Sequence, residues 1–305
     1  MNIAGKPDAD LIAAVEAGGT KFVLALARRD GTILSRARLP TQSPRETFAA
    51  MGDFFEQASA THGQIGAFGI ASFGPIDVNP ASPAYGTITT TTKRGWSGAT
   101  YHDALARFGV PVRIHTDVVG AAIGEWIKGA GQGATTLAYT TVGTGIGSGL
   151  IRDGQPLMGF SHYETGHIQP PHDHATDPFP GICSFHKDCA EGLASGPAIK
   201  ARWGKSLDEL AADRGAVALI AGYLAHLAAT LVLTHMPDRL IFGGGVLKTP
   251  GLIEAVRVAT EARLAGYVQH PRLDPGLVEY ITLPALGDDA GITGAIELGR
   301  NALLE

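Results

Sequence analysis

The stretch "AAVEAGGTKFVLALARRDGTIL" (13–34) returns in altered form as "AYTTVGTGIGSGLIRDGQPL" (138–157). Each reads as an apolar strand, a glycine-rich turn, a second strand and an "RDG" turn, and Asp-Gly between apolar runs is a hairpin signal. Chance produces one such hairpin. Two in the same order imply two related halves. Helix and strand patterns alternate after each hairpin. Helices are expected over 45–62, 101–108, 118–128, 209–235, 250–267 and about 290–303, with strands at "IGAFGIAS", "VPVRIHTD" and "RLIFGGG". The expected fold is α/β, with two similar domains facing each other across a cleft. The first takes residues 1–117 and is closed by 290–305, and the second takes 118–289.

A chain of 305 residues is long enough for two such cores. Its net charge of −5 gives no reason to expect nucleic acid or an anionic membrane as a partner. The segment 1–19 lacks the cationic start of an export leader, and the expected location is the cytoplasm, where a structural disulfide is out of place. From Gly215 to Pro237 there is no Asp, Glu, Lys or Arg, long enough for a membrane span. Its alanine content, His226 and His235, and the charges at both ends instead suit a buried helix or an interface helix that would make a homodimer.

The 41 glycines stand well above the usual share of about 7 %, which predicts tight turns or close approaches of backbone to ligand. Three clusters fall at strand ends: "EAGGTK" (16–21), "VGTGIGSG" (142–149) and "FGGGV" (242–246). The second superficially matches a dinucleotide fingerprint, but a strand rather than a helix follows it. Any one cluster alone is a tight turn. Two at equivalent points of a repeat favour a bound nucleotide, held by backbone N–H groups at Gly18, Gly19, Gly143, Gly145, Gly243, Gly244 and Gly245. Thr20, Lys21 and Thr144 add side-chain donors.

Both cysteines lie in "CSFHKDC" (183–189). Cys183, His186 and Cys189 offer three metal ligands with two-residue gaps, and a closed zinc site needs a fourth. His162, His167, His172 and His174 lie upstream. Two unrelated core thiols remain the competing reading. Asp117 ends "VRIHTD" at the junction of the two repeats, where it serves either as a helix cap or as a general base.

The motifs "EAGGTK", "TDVVGAA", "VGTGIG", "HYETGHI", "CSFHKDCAEGLASG" and "FGGGV" occur in the order seen in the ROK family of sugar kinases, and over residues 13–300 the chain resembles its bacterial fructokinase branch. That resemblance implies the duplicated ribonuclease H-like fold of the hexokinase–actin superfamily and ATP-dependent phosphorylation of a hexose at its 6-hydroxyl, most simply fructose. Glucose, mannose or an amino sugar is the rival substrate. The family's regulators carry a DNA-binding module ahead of the first strand, and the dozen residues there are too few for one. Carried over, Asp117 becomes the base. Glu164, His167 and Glu191 bind sugar, with Gly74, Pro75 and Thr116 beside them. The same likeness selects His167 as the fourth zinc ligand, giving a His₂Cys₂ clip. His172 and His174, in "PPHDHATD", are expected as solvated loop residues, with a metal role as the alternative. Where many relatives have Asn-Asp, this chain has Thr116-Asp117. Glu16 replaces an Asp thought to hold Mg²⁺ through water.

Overall fold

The protein is described from a computed structural model over residues 11–304. Residues 1–10, on which the reading of the leader depends, and Glu305 lie outside the described residues. The chain divides into two compact units. The first comprises 1–124, 158–162 and 288–305, and the second 125–157 and 163–287. The division therefore falls inside a helix that opens at Asp117.

In the first unit, β1 (Leu11–Ala17), β2 (Lys21–Ala27) and β3 (Ile33–Pro40) form an antiparallel meander. Helix α1 (Pro44–His62) follows, and its start is fixed by a capping box. The Ser43 hydroxyl accepts the Glu46 N–H at 3.4 Å, and the Glu46 carboxylate accepts the Ser43 N–H at 3.3 Å. Next come β4 (Ile65–Ser72), α2 (Tyr101–Leu105), β5 (Val112–Thr116) and α3 (Asp117–Lys128). The sheet order is β3-β2-β1-β4-β5, with β1, β4 and β5 parallel. β1 is central and apolar except for Glu16, as a strand covered on both faces must be.

The second unit opens with β6 (Thr136–Val142), β7 (Ile146–Arg152) and β8 (Gln155–Pro156). Helices α4 (Ala190–Ala194), α5 (Gly196–Trp203) and α6 (Arg214–His235), strand β9 (Arg239–Gly243), helix α7 (Leu252–Leu264) and strand β10 (Ile281–Thr282) complete it. Its sheet order is β10-β9-β6-β7-β8, the first sheet's order read from the other end. Both hairpins are antiparallel, and β6, β9 and β10 are parallel. The two matching sheets are the related halves that the repeat implied, in the ribonuclease H-like arrangement that the family resemblance implied. Helix α8 (Ala290–Ala302) returns to the first unit, where it packs on β4 and β1.

The expected helix over 209–235 differs in detail. The segment 208–210 is a separate 3₁₀ turn, and α6 begins at Arg214 because Asp213 accepts the N–H groups of Gly215 and Ala216 at 2.9 and 3.1 Å. "EGLASGPAI" forms two helices, α4 and α5. Pro197 has no N–H to continue α4, and Ser195 caps α5 by accepting the Ala198 N–H at 3.3 Å. By length and composition α6 could cross a membrane. It nonetheless forms the centre of the second unit's core, where Ile220, Leu224, Leu227 and Leu231 are buried among Phe242, Val256 and Ile281.

Much of the glycine excess serves packing. A Cβ at Gly294 in α8 would lie 1.7 Å from the Gly120 carbonyl of α3, and one at Gly69 in β4 would lie 1.9 Å from the Ala295 carbonyl. These backbones approach too closely for any side chain.

Candidate active site

In the first unit, the turn after β1 is closed by the Gly18 N–H donating to the Lys21 carbonyl at 2.9 Å. The Gly18 carbonyl accepts the Thr41 hydroxyl at 2.8 Å, and the Gly19 carbonyl accepts the Lys93 ammonium. Nothing lies within 4 Å of a Cβ built at Gly19, and Gly19, Thr20 and Lys21 are exposed. Lys93, from the loop 90–96, is a supporting residue that sequence reasoning did not single out. Trp96, from the same loop, is buried packing. It stacks near Phe22, Phe48 and Phe73, and its Nε1–H reaches the Gln42 carbonyl at 2.9 Å.

Glu16 is unusual. Its carboxyl is buried at the end of β1, and Oε2 has no hydrogen-bond partner. Burial, and then the charge of Asp117, raise it from 4.5 to about 7, with Asp288 adding and Lys21 and Arg36 opposing. A Cβ at Gly291 would meet the Glu16 carboxyl carbon at 2.6 Å, so the first turn of α8 needs glycine there. The "GDDAG" that supplies Asp288 and Gly291 was a signal available in the sequence and not used.

At the β5–α3 junction the cap is divided. The Thr116 hydroxyl accepts the Val119 N–H at 3.4 Å, while Asp117 occupies the first helical position and its Oδ1 accepts the Val118 N–H at 2.9 Å. Thr116 therefore takes the cap role in which Asp117 was the alternative. Behind it, His115 is buried, and its Nδ1 accepts the Thr116 N–H at 2.9 Å. Burial holds this imidazole down at about 3, so it is neutral. Gly74 and Pro75 form a turn whose next residue, Ile76, points its N–H at His162 Nε2, 3.4 Å away.

The second unit brings His167, Cys183, His186 and Cys189 together, with one ligand atom from each lying within 4.8 Å of all the others. His167 Nδ1 is 3.7 Å from Cys183 Sγ and 3.5 Å from Cys189 Sγ, and His186 Nδ1 is 3.8 Å from Cys183 Sγ. Bonds of about 2.3 Å to sulfur and about 2.05 Å to nitrogen put neighbouring ligands of a tetrahedral zinc about 3.6 Å apart. The residues fit that ion. Both cysteines are unlinked. The His186 and Gly192 N–H groups point at the two sulfurs, at 3.5 and 3.4 Å. Burial lifts the Cys189 thiol to about 11, with the Gly192 N–H opposing and Cys183 adding; a bound cation would reverse this balance.

Local geometry makes the clip. Lys187 adopts a left-handed conformation (φ 60°), which folds Cys183 and Lys187 into a two-bond bridge of 3.2 and 3.0 Å. Cys189 then caps α4, which carries Glu191. His167 ends a 3₁₀ turn whose Gly166 packs so tightly that a Cβ would lie 1.8 Å from the Ile146 carbonyl. With Nδ1 facing the thiols, His167 Nε2 lies 4.0 Å from Glu164. Glu191 Oε2 accepts the Ile146 N–H at 2.9 Å, and a Cβ at Gly145 would meet that oxygen at 2.6 Å. Gly145 thus has a neighbour that the turn motif did not reveal. Gly143 and Gly245 are open, Thr144 is exposed, and Gly243 packs on Tyr139. Gly244 sits at φ 92°, 2.4 Å by its absent Cβ from the Val142 carbonyl. His172, expected in solvent, has a side chain only 3 % exposed, whereas His174 is 63 % exposed.

The sequence pattern of the ROK family matches residues 12–302. The chain belongs to the ROK family. A fructokinase of Zymomonas mobilis is 41 % identical over 301 residues, spanning 97 % of this chain and 99 % of that one. Among solved structures, a ROK hexokinase from Thermus thermophilus superposes with a TM-score of 0.78 at 25 % identity, over 96 % of this chain and 99 % of that one. A ROK family glucokinase from Streptomyces griseus, solved in complex with glucose and AMPPNP, gives a TM-score of 0.74 at 25 % identity over 95 % and 99 %. The two matching sheets are the duplicated fold of these ROK kinases.

Proposed function

We propose that the protein is an ATP-dependent fructokinase that phosphorylates D-fructose at its 6-hydroxyl. The observation that carries this reading is the β5–α3 junction. There the Thr116 hydroxyl caps α3 by accepting the Val119 N–H, and Asp117 stands at the first helical position with Oδ1 on the Val118 N–H, in a chain similar over nearly its whole length to a fructokinase. Phosphoryl transfer asks little covalent work of a protein. It needs a carboxylate for the proton of the attacking hydroxyl, donors around the phosphates and a fixed sugar. Asp117 takes that proton as the oxygen closes on the γ-phosphorus and the bond to ADP breaks. The turns at 18–21, 143–145 and 243–245 are assigned to nucleotide phosphates through their remaining backbone N–H groups, because the Gly18 and Gly143 N–H groups, expected as donors, close their own turns on the Lys21 and Gly145 carbonyls at 2.9 Å each. Glu164 and Glu191 accept sugar hydroxyls, and His167, whose Nδ1 faces the clip, donates its Nε2–H to one. Gly74, Pro75 and Thr116 shape the turn and cap beside the base. Mg²⁺, when bound, supplies charge neutralisation on the phosphates.

The four-residue clip is assigned to one structural zinc, whose part is to hold His167 and the start of α4. Soluble cytoplasmic enzymes of this kind need no membrane or nucleic acid, and a homodimer is the assembly to test by sedimentation. The Streptomyces griseus relative keeps glucose in view as the rival substrate. A coupled ADP-release assay over fructose, glucose, mannose and N-acetylated hexosamines decides. The highest kcat/KM should fall on fructose. Turnover with glucose alone would overturn the substrate, and no turnover with any hexose would overturn the reading.

A further inference from the structure

Beside the clip, but sharing none of its ligands, His172, His174 and Asp188 place one ligand atom each within 4.8 Å of the others. The loop 170–177 is pinned from behind. Asp177 is buried and accepts from Arg202 at 2.9 Å and from the Tyr223 hydroxyl at 2.6 Å. His172 Nε2 lies 3.0 Å from the Asp177 carbonyl and 3.5 Å from its carboxylate. Both are acceptors, so this nitrogen carries the ring proton. The other nitrogen, Nδ1, is left with a lone pair, and it faces Asp188 Oδ2 at 3.3 Å. The same oxygen lies 3.9 Å from His174 Nε2, and the two rings are 4.1 Å apart.

A lone pair held against a carboxylate oxygen needs a positive charge between them. A ring nitrogen whose opposite N–H is fixed by a backbone carbonyl is the arrangement of metal-ligating histidines. Bonds of about 2.0–2.2 Å put neighbouring ligands about 3.4 Å apart, close to the His172–Asp188 spacing. Exposed His174 reaches the remainder by a small rotation. We propose that His172 Nδ1, His174 Nε2 and one Asp188 oxygen form a second site for a divalent transition metal. Two imidazoles and a carboxylate select an ion of the zinc, cobalt or nickel kind over magnesium. Three ligands leave a position open to solvent on the His174 side, so this ion exchanges more readily than one enclosed by the clip. A doubly protonated His172 is the alternative that makes the same contacts without an ion.

The test counts metal on the full chain and does not use catalysis, so it is independent of the fructokinase reading. After dialysis against Zn²⁺, the wild type should hold about two ions, and His174→Ala, a change at an exposed side chain, about one. Cys183→Ser/Cys189→Ser should keep one ion. Loaded with Co²⁺, that variant should show d–d bands without thiolate charge transfer. A wild type that saturates at one ion, with the same count in His174→Ala, overturns the second site. A single ion lost by His174→Ala and kept by the double serine variant supports it and removes the clip instead.

Discussion

Glu16 provides the sharpest test of how the first unit is built. Raising its carboxyl from 4.5 to about 7 costs the ionised form about 3 kcal/mol in the folded state. The folded chain therefore holds a proton between these values that the unfolded chain has released. Stability is highest at low pH and falls as pH rises through the window from 4.5 to 7, the reverse of the usual carboxylate. Between pH 5 and pH 8 this one group should remove about 2.5 kcal/mol from the wild type. Glu16→Gln keeps the shape and cannot ionise. Urea denaturation of both proteins without Mg²⁺ at a series of pH values isolates the effect, because every other group titrates in both. The variant should gain on the wild type steadily and lead by about 2–3 kcal/mol at pH 8. Parallel curves, with a gap constant within about 0.5 kcal/mol, would refute the claim that burial and Asp117 hold the proton on Glu16.

Asp117→Asn should lower kcat by roughly 10²–10⁴-fold with little change in sugar KM, measured by the same coupled assay, since general-base catalysis is of that size. Gly145→Ala should raise sugar KM, because its Cβ would displace the Glu191 oxygen 2.6 Å away and break its bond to Ile146; an effect confined to ATP KM would contradict that geometry. Strong chelation, or Cys189→Ser, should remove the clip's ion and raise sugar KM more than ATP KM. Proteolysis within 160–190 should accelerate in step, and metal analysis before and after ties the change to the ion.

The fold was legible because the repeat is local. A strand, a glycine turn, a strand and an Asp-Gly turn span about twenty residues, and they recur before any long-range contact is needed. The clip was legible for the same reason, since three of its ligands sit within seven residues of chain. His172 was not. "PPHDHATD" has the composition of a solvated loop, and the groups that bury it, Asp177, Arg202 and Tyr223, converge only in three dimensions. Nor does sequence distinguish a glycine that faces a phosphate from one that faces another backbone. Gly19 and Gly294 look alike in one dimension. The first opens on empty space, whereas the second lies 1.7 Å by its absent Cβ from the carbonyl of Gly120. The helix cap at Thr116 was hidden by a neighbour, because Asp is as good a cap as Thr on propensity alone.

Within the second unit, the residues assigned to three tasks meet at one residue, Ile146. The Ile146 N–H is held by Glu191, and its carbonyl is where Gly166 packs, one residue before His167. Cys189 caps the helix that carries Glu191, and the Glu191 oxygen leaves no room for a side chain on Gly145. The residues assigned to metal, to sugar and to nucleotide are therefore linked through Ile146. Loosening one end need not unfold the unit to be felt at the other. A shift of α4 by loss of the clip draws Glu191 from the Ile146 N–H, and a buried donor left without a partner costs about 1–3 kcal/mol. That cost is met by movement of the turn at 143–146 or by water entering at Ile146. On these assignments, loss of an ion from the clip should weaken sugar binding first, because Glu191 is the nearer link, and phosphate binding after it.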